Sequence, residues 1–337
     1  MIREAIQRVV EGEHLRGEEA HQVMGEIMAG EATPAQIASL ITALRMKGET
    51  VEEITGFARA MREKAVRVPT TRRPLVDTCG TGGDGKNTFN ISTTAAFVVA
   101  GAGAAVAKHG NRAMSSHCGS ADVLEALGVN LELSAEEVGR CIDEIGIGFL
   151  FAPRLHPAMK YAVGPRREIG IRTVFNILGP MTNPAGAKAQ VLGVARPELT
   201  EVMAHVLLNL GAEHVFVVHG LIGLDEISLL GETLVSEAKG GEVHTYRISP
   251  EQFGLHSEAT LDDLRGGTAE ENARLLVGVL EGEAGPRRDI VALNAAAGIV
   301  AAGLASNLQE GLARAYQSLD SGAAREKLEA LISFNPS

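Results

Sequence analysis

Apolar residues recur with helical spacing through residues 1–66 in four short segments, broken at Gly12, at Gly30 to Pro34 and at Gly48-Glu49-Thr50. Thr33-Pro34, and Thr50 with Glu53 three residues on, are helix starts, because a hydroxyl can accept from the first free amides while the acidic side chain reaches back. This stretch therefore reads as a small all-helical unit. A proline-marked linker, Val68-Pro69-Thr70-Thr71-Arg72-Arg73-Pro74, follows, and beyond it the pattern changes. Short apolar runs alternate with helical ones: a buried helix at 95–100, a small-residue strand at 104–107, a helix at 121–127, a helix at 199–210 and a buried strand at 215–219. Such alternation predicts a parallel sheet covered by helices. The alanine-rich run at 292–297 predicts a tightly packed helix, and the chain beyond about residue 227 reads as scaffold.

Composition fits this picture and narrows the function. The chain has 337 residues, 45% hydrophobic and 22% charged, which suits an ordinary globule of two domains and not a disordered chain. The formal net charge of −11 argues against a generic nucleic-acid binder and against attraction to an anionic membrane. Cys79, Cys118 and Cys141 have neither zinc spacing nor the number for a disulfide framework. Met1-Ile2-Arg3-Glu4-Ala5 opens an amphipathic helix, not a signal sequence, and no long uncharged apolar run follows, so a cytoplasmic location is expected.

The chemistry concentrates in Asp77-Thr78-Cys79-Gly80-Thr81-Gly82-Gly83-Asp84-Gly85, where four glycines and two carboxylates follow an apolar run. Glycines let backbone amides close on an anion, and a helix N-terminus just beyond adds partial positive charge. Gly80, Gly82 and Gly85 satisfy the dinucleotide pattern, but the acidic residue due about twenty positions later is missing. Gly80 to Lys86 also satisfies a P-loop until Asn87 stands where a hydroxyl is needed for magnesium. A tight turn with no ligand is the remaining plain reading. Asn90-Ile91-Ser92-Thr93-Thr94 then offers amide and hydroxyl groups, with Ser92 or a neighbour as N-cap. The 104–107 strand ends in Lys108-His109-Gly110-Asn111-Arg112, and Ser115-Ser116-His117-Cys118-Gly119-Ser120 makes a second polar turn. Loops beyond the carboxyl ends of parallel strands line one crevice. Cys79 and Cys118 flank it as small buried residues.

Six blocks, in order along the chain, carry a resemblance: Cys79-Gly80-Thr81-Gly82-Gly83-Asp84, Asn90-Ile91-Ser92-Thr93, Lys108-His109-Gly110-Asn111-Arg112, Arg172-Thr173-Val174-Phe175-Asn176-Ile177-Leu178-Gly179-Pro180, Asn183-Pro184 and Gly223-Leu224-Asp225-Glu226. Together they resemble the anthranilate phosphoribosyltransferase family of tryptophan biosynthesis. The resemblance implies an α/β enzyme of the nucleoside phosphorylase/phosphoribosyltransferase kind. In it a helical domain, residues 1–66 with an excursion at about 166–183, joins an α/β domain with a mainly parallel central sheet, residues 74–337. Hinges fall near 67–74 and 160–190, and a homodimer forms through the helical domain. The implied reaction moves the phosphoribosyl group of 5-phosphoribosyl 1-diphosphate to the amine of anthranilate.

By the same resemblance, the phosphoribosyl diphosphate site comprises Gly80, Gly83, Asp84, Thr88, Asn90, Ile91, Ser92, Thr93, the run Lys108, His109, Gly110, Asn111, Arg112, Ala113, Met114, Ser115 and Ser116, and Ser120. Anthranilate would meet Gly80, Asn111 and Arg166. A pair of Mg2+ ions per subunit would take Ser92, Asp225 and Glu226, hard oxygen donors of the kind magnesium accepts. By spacing alone Asp225-Glu226 is equally a solvated acidic turn, and Arg167 competes with Arg166 as the carboxylate fork. No general base is assigned, because an aromatic amine attacks in its neutral form; His109 reads as a pocket wall. Pyrimidine nucleoside phosphorylases share the fold and are the rival enzymatic reading. A non-catalytic nucleic-acid-binding relative is the third, expected to be basic with damaged motifs.

Overall fold

A computed structural model describes residues 1–113, 117–255 and 258–335. Four helices open the chain: α1 Ile2–Val10, α2 Gly17–Ala29, α3 Pro34–Lys47 and α4 Val51–Lys64. Thr33 and Thr50 cap α3 and α4, each accepting from the amide three residues on. Glu53 does more than close the second capping box. It is fully buried, binds the Lys47 ammonium at 2.9 Å and accepts from the Leu15 amide at 2.9 Å, so one carboxylate ties α4 to α3 and to the entry of α2. A buried charge of this kind is tolerated only because every oxygen is occupied.

After the linker the chain alternates β1 Leu75–Gly80, α5 Ile91–Gly101, β2 Ala105–Gly110, α6 Ser120–Ala126, α7 Ala135–Ile145 and β3 Ile147–Phe151. The short α8 Ala152–Leu155, α9 Lys160–Ile169 and α10 Phe175–Leu178 lead to β4 Ala189–Gly193, α11 Leu199–Asn209 and β5 His214–Gly220. The hairpin β6 Thr233–Lys239 and β7 Glu242–Ile248, then α12 Ala269–Leu280, α13 Pro286–Ala301, α14 Leu308–Asp320 and α15 Ala323–Ser333, complete the fold. The seven strands lie in the order β3-β2-β1-β4-β5-β6-β7, with β1 to β5 parallel and the last two antiparallel. Succession reverses at β1, whose neighbours β2 and β4 lie on opposite sides. The crevice beyond the carboxyl ends of β1 and β4 is thus a topological switch point, where open α/β sheets bind ligands.

Strand periodicity divides the apolar residues between two cores. In β5, Phe216 and Val218 face the core shared with α5 and α13, whereas Val215 and Val217 face the core that contains α11 and the four N-terminal helices. The second core also takes in Ala162, Val174, Phe175, Ile177, Leu178 and Met181. Arg62 of α4 fastens the two parts, donating to the carbonyls of Met181 at 2.6 Å and Leu210 at 2.9 Å. Among the described residues no helix is long and apolar enough to cross a membrane.

The structure corrects one boundary. The strand placed at 104–107 runs on through Lys108 and His109 to Gly110, because both polar side chains are buried and find partners inside the protein.

Candidate active site

The glycine turn begins where β1 ends. Thr81 N–H donates to Gly193 O at the tip of β4, 2.8 Å away, and Gly82 N–H donates to Asp225 Oδ2 at 3.0 Å. The loop that carries Asp225 crosses directly over both strand tips. A Cβ on Gly193 would lie 1.6 Å from Asp225 O, and one on Gly80 would lie 2.7 Å from Asp225 Oδ2. Only glycine lets the acidic loop approach this closely. Asp84 folds back so that Oδ1 accepts from Lys86 N–H, while its buried Oδ2 meets no donor. Thr88 joins the outgoing chain to Arg265 in a single antiparallel bridge.

Glu226, next after Asp225, reaches the head of α5. Its Oε1 accepts from Ser92 N–H at 3.2 Å, in the first turn of α5. Asn90 is the N-cap, but its side chain is engaged elsewhere, donating to Cys118 O and accepting from Asn272. Ile91 and Thr93 are buried, so they offer the crevice only the backbone of that turn. The Ser92 hydroxyl makes no hydrogen bond among the described residues. Asn294 of α13 fixes the far side of the acidic loop. It accepts from Ile227 N–H and donates to Ile227 O, both at 2.9 Å. The alanine-rich helix taken as scaffold therefore positions Glu226.

Lys108 and His109 stand behind the turn. The Lys108 ammonium donates to Thr78 O at 2.5 Å, and burial lowers its pKa against the pull of Asp77 and Glu226. Asp77 accepts from His109 N–H at 3.1 Å and from the Asn183 amide at 2.8 Å; burial nevertheless raises its pKa to about 6. The His109 and His156 rings meet through their Nε2 atoms at 3.2 Å. Burial drives them down to about 3 and about 4, so both are neutral near pH 7. His109 is buried with its ring against that of His156. His156, Asn272 and the role of Asn294 escape the sequence reading, as does the partner of Asn183, since nothing local in the sequence marks a long-range amide or imidazole contact.

Asn111, Gly110 and Ser120 form one cluster: Ser120 Oγ accepts from Asn111 N–H at 3.2 Å, and Gly110 has no side chain where Ser120 packs. Arg112 is turned away, its guanidinium paired with Asp122 and Glu125, and the amide of Ala113 donates to Asp122. Met114, Ser115 and Ser116 lie outside the described residues. Arg166 sits in α9 over the Phe175 ring, 5.3 Å from its centroid, and makes no ion pair among the described residues. Partial burial lowers its pKa, whereas Arg167 is exposed. A half-buried, unpaired guanidinium is suited to a carboxylate.

The acids suit a divalent cation. Burial, with the Asp84 carboxyl beside it, raises Asp225 to about 7, and Glu226 is pushed well above the ordinary carboxylate range by burial and Asp225. Crowded carboxyls that ionise reluctantly, an orphaned Asp84 oxygen and a free Ser92 hydroxyl make a set of hard oxygen donors. Among the described residues no three metal-binding side chains already converge as a cage, so ligand oxygens and water would have to complete the coordination.

Two family models place the chain among the glycosyl transferases. The helical-bundle-domain model of that family matches residues 3–65 and its a/b-domain model residues 72–325. The chain is 60% identical over 329 residues to the anthranilate phosphoribosyltransferase of Symbiobacterium thermophilum, covering 98% of this chain and 96% of the relative. It is 58% identical over 334 residues to that of Moorella thermoacetica, covering 99% and 98%. The crystal structure of the Thermus thermophilus enzyme superposes with a TM-score of 0.92 at 52% identity over 98% of both chains. The Saccharomyces cerevisiae enzyme in complex with PRPP and Mg gives 0.89 at 30% identity, over 98% and 96%, and the same yeast enzyme is also known in complex with 4-fluoroanthranilate. The chain belongs to the anthranilate phosphoribosyltransferase family.

Proposed function

We propose that this enzyme transfers the phosphoribosyl group of 5-phosphoribosyl 1-diphosphate to the amine of anthranilate, giving N-(5-phosphoribosyl)anthranilate and diphosphate, in tryptophan biosynthesis. The observation that carries the reading is the pair of bonds from Asp225 to Gly82 N–H and from Glu226 to Ser92 N–H. They tie the two acids to the glycine turn and to the head of α5, which supports a site where a metal-bound diphosphate is held. Bound Mg2+ would neutralise the charge that builds on diphosphate as the sugar bond breaks. Asp225, Glu226 and Ser92 would hold a pair of such ions. The backbone of Gly80, Gly83, Asp84 and Thr88, with Lys108, holds diphosphate. Asn90 to Thr93, Asn111 and Ser120 close around the phosphoribosyl group.

Arg166 receives the anthranilate carboxylate, and Asn111 and Gly80 face its ring and amine. The amine attacks the anomeric carbon as diphosphate leaves, and its proton departs afterwards. No side chain needs to act as a strong base, which accords with the neutral His109–His156 pair. Residues 1–66 with the excursion 166–183 form the moving body, residues 74–337 the other, and closure at hinges near 67–74 and 160–190 excludes water from the sugar centre. We assign the active unit as a cytoplasmic homodimer joined through the helical domain; light scattering and cross-linking test the dimer.

A phosphorylase using free phosphate has little need of the paired acids, and the relatives bear the transferase name. The test is loss of anthranilate fluorescence on mixing protein, anthranilate, 5-phosphoribosyl 1-diphosphate and magnesium. The reading requires that omitting any one component abolish the loss; a folded enzyme inert toward the full mixture would sink it.

A further inference from the structure

Arg172 lies in one of the blocks that carry the family resemblance, yet no role in the reaction falls to it from the reading above. The chain leaves α9 through Gly170, and from Val174 onward its apolar residues sit in the core of the N-terminal helices. Arg172 is thus anchored from the helical side, but its guanidinium reaches the glycine turn of the sheet. Nη2 lies 2.9 Å from Gly82 O and 3.4 Å from Thr81 O. Gly83 has φ +81°, and a Cβ there would stand 1.5 Å from Nη1, so the guanidinium rests in the notch that the missing side chain leaves.

Gly82 is held on both of its polar groups. Asp225 takes its N–H at 3.0 Å and Arg172 takes its C=O. An arginine that binds the carbonyl edge of a turn keeps the carbonyls facing away from the anion side, which an unrestrained glycine loop does not do for itself. The Arg172 charge also faces Asp225 and Asp84, the two acids nearest the turn. Nη1 and Nε make no hydrogen bond among the described residues, so the fork retains free donors beside Gly83, where diphosphate would bind.

We propose that Arg172 is a positioning residue for the diphosphate end of the donor substrate: it fixes the glycine turn from the helical body and turns its free Nη1 to a diphosphate oxygen as the two bodies close. This rests on the transferase reading. It goes beyond it in giving one side chain both the shaping of the turn and the link between closure and donor binding.

The experiment compares wild type with Arg172→Ala, Arg172→Lys and Arg172→Gln in the full-length protein. Amide hydrogen exchange over residues 81–85 without ligand, steady-state kinetics and calorimetric binding of inorganic diphosphate with magnesium are read. Arg172→Ala should speed exchange in the turn at least about tenfold. It should raise KM for 5-phosphoribosyl 1-diphosphate about tenfold and weaken diphosphate binding to match, with KM for anthranilate within about twofold. Arg172→Lys should recover only part of the diphosphate affinity, because one ammonium cannot bind a carbonyl and an oxyanion as a fork does. Should the alanine variant fail to fold, Arg172→Gln, which keeps one donor, is expected to show the same substrate asymmetry to a smaller degree. Unchanged exchange in the turn, or equal shifts in both KM values, overturns the proposal. If wild type does not turn over, the transferase reading fails, while the exchange arm still judges whether Arg172 orders the turn.

Discussion

Asn294 is the sharpest place to test whether the C-terminal helices are more than support. Its side chain is 2% exposed and makes three hydrogen bonds, one from Ile227 N–H, one to Ile227 O and one to Ile290 O. Leucine has nearly the same shape, so Asn294→Leu opens no sizeable cavity, and the cost comes from stranded polar groups. Ile290 O keeps its helical partner, but both polar groups of Ile227 lose theirs in a buried place. Each unsatisfied group costs about 1–3 kcal/mol, giving about 2–6 kcal/mol for the pair, toward the lower end if the loop shifts to admit water. At roughly 2 °C per kcal/mol for a chain of this size, Tm should fall by about 4–12 °C. Because Ile227 follows Glu226 directly, any relaxation moves the acid pair. The magnesium concentration for half-maximal rate should rise several-fold in parallel with the stability loss, while KM for anthranilate stays put. Differential scanning calorimetry with a magnesium titration of the initial rate decides the matter. A Tm within about 1 °C of wild type refutes the energetic argument, and a large Tm loss with unaltered magnesium dependence refutes the positioning role.

Asp225→Asn combined with Glu226→Gln should abolish metal-dependent turnover with the fold intact; retained activity with normal circular dichroism would remove both from the metal site. Arg166→Ala should raise KM for anthranilate about tenfold or more and leave that for 5-phosphoribosyl 1-diphosphate nearly unchanged, a split that steady-state kinetics reads directly. Asp77 has a folded pKa of about 6, above the roughly 3.9 of an unfolded chain, so the native state keeps this proton longer. Its burial therefore costs stability increasingly as pH rises from about 4 to about 6, by a few kcal/mol in all. Asp77→Asn should lose less against wild type at pH 7 than at pH 4, and a stability gap that stays constant across that range in thermal melts would contradict the assignment.

What could be read from the sequence follows the range of the interactions involved. The four N-terminal helices and the strand at β5 are written in local periodicity and capping residues, so they were legible. The glycine turn and the Asp225-Glu226 pair were legible as motifs, although spacing alone left the acids indistinguishable from a solvated turn. The end of β2 was misjudged for a physical reason. Lysine and histidine normally mark a strand's exit to water, but here Thr78 O, Asp77 and His156 supply partners from distant parts of the chain. The partners of Asn183, Asn272 and Asn294 were hidden for the same reason, since an amide whose partner lies sixty or more residues away has no local signature of that contact.

These long-range amides act on the motifs. Asn183 holds Asp77 at the root of β1, Asn272 holds Asn90 at the head of α5, and Asn294 holds the loop of Asp225 and Glu226. Each element that would meet the diphosphate thus has a neutral amide behind it, beside the carboxyls of Asp225 on the glycine turn and Glu226 on α5. An amide fastens without adding to or cancelling the field on which the reaction depends. Arg172 is the cation on the glycine turn itself. Its charge meets the turn on the carbonyl edge of Gly82 while the Asp225 carboxyl holds the N–H edge, so one cation and one acid together set the orientation of that peptide.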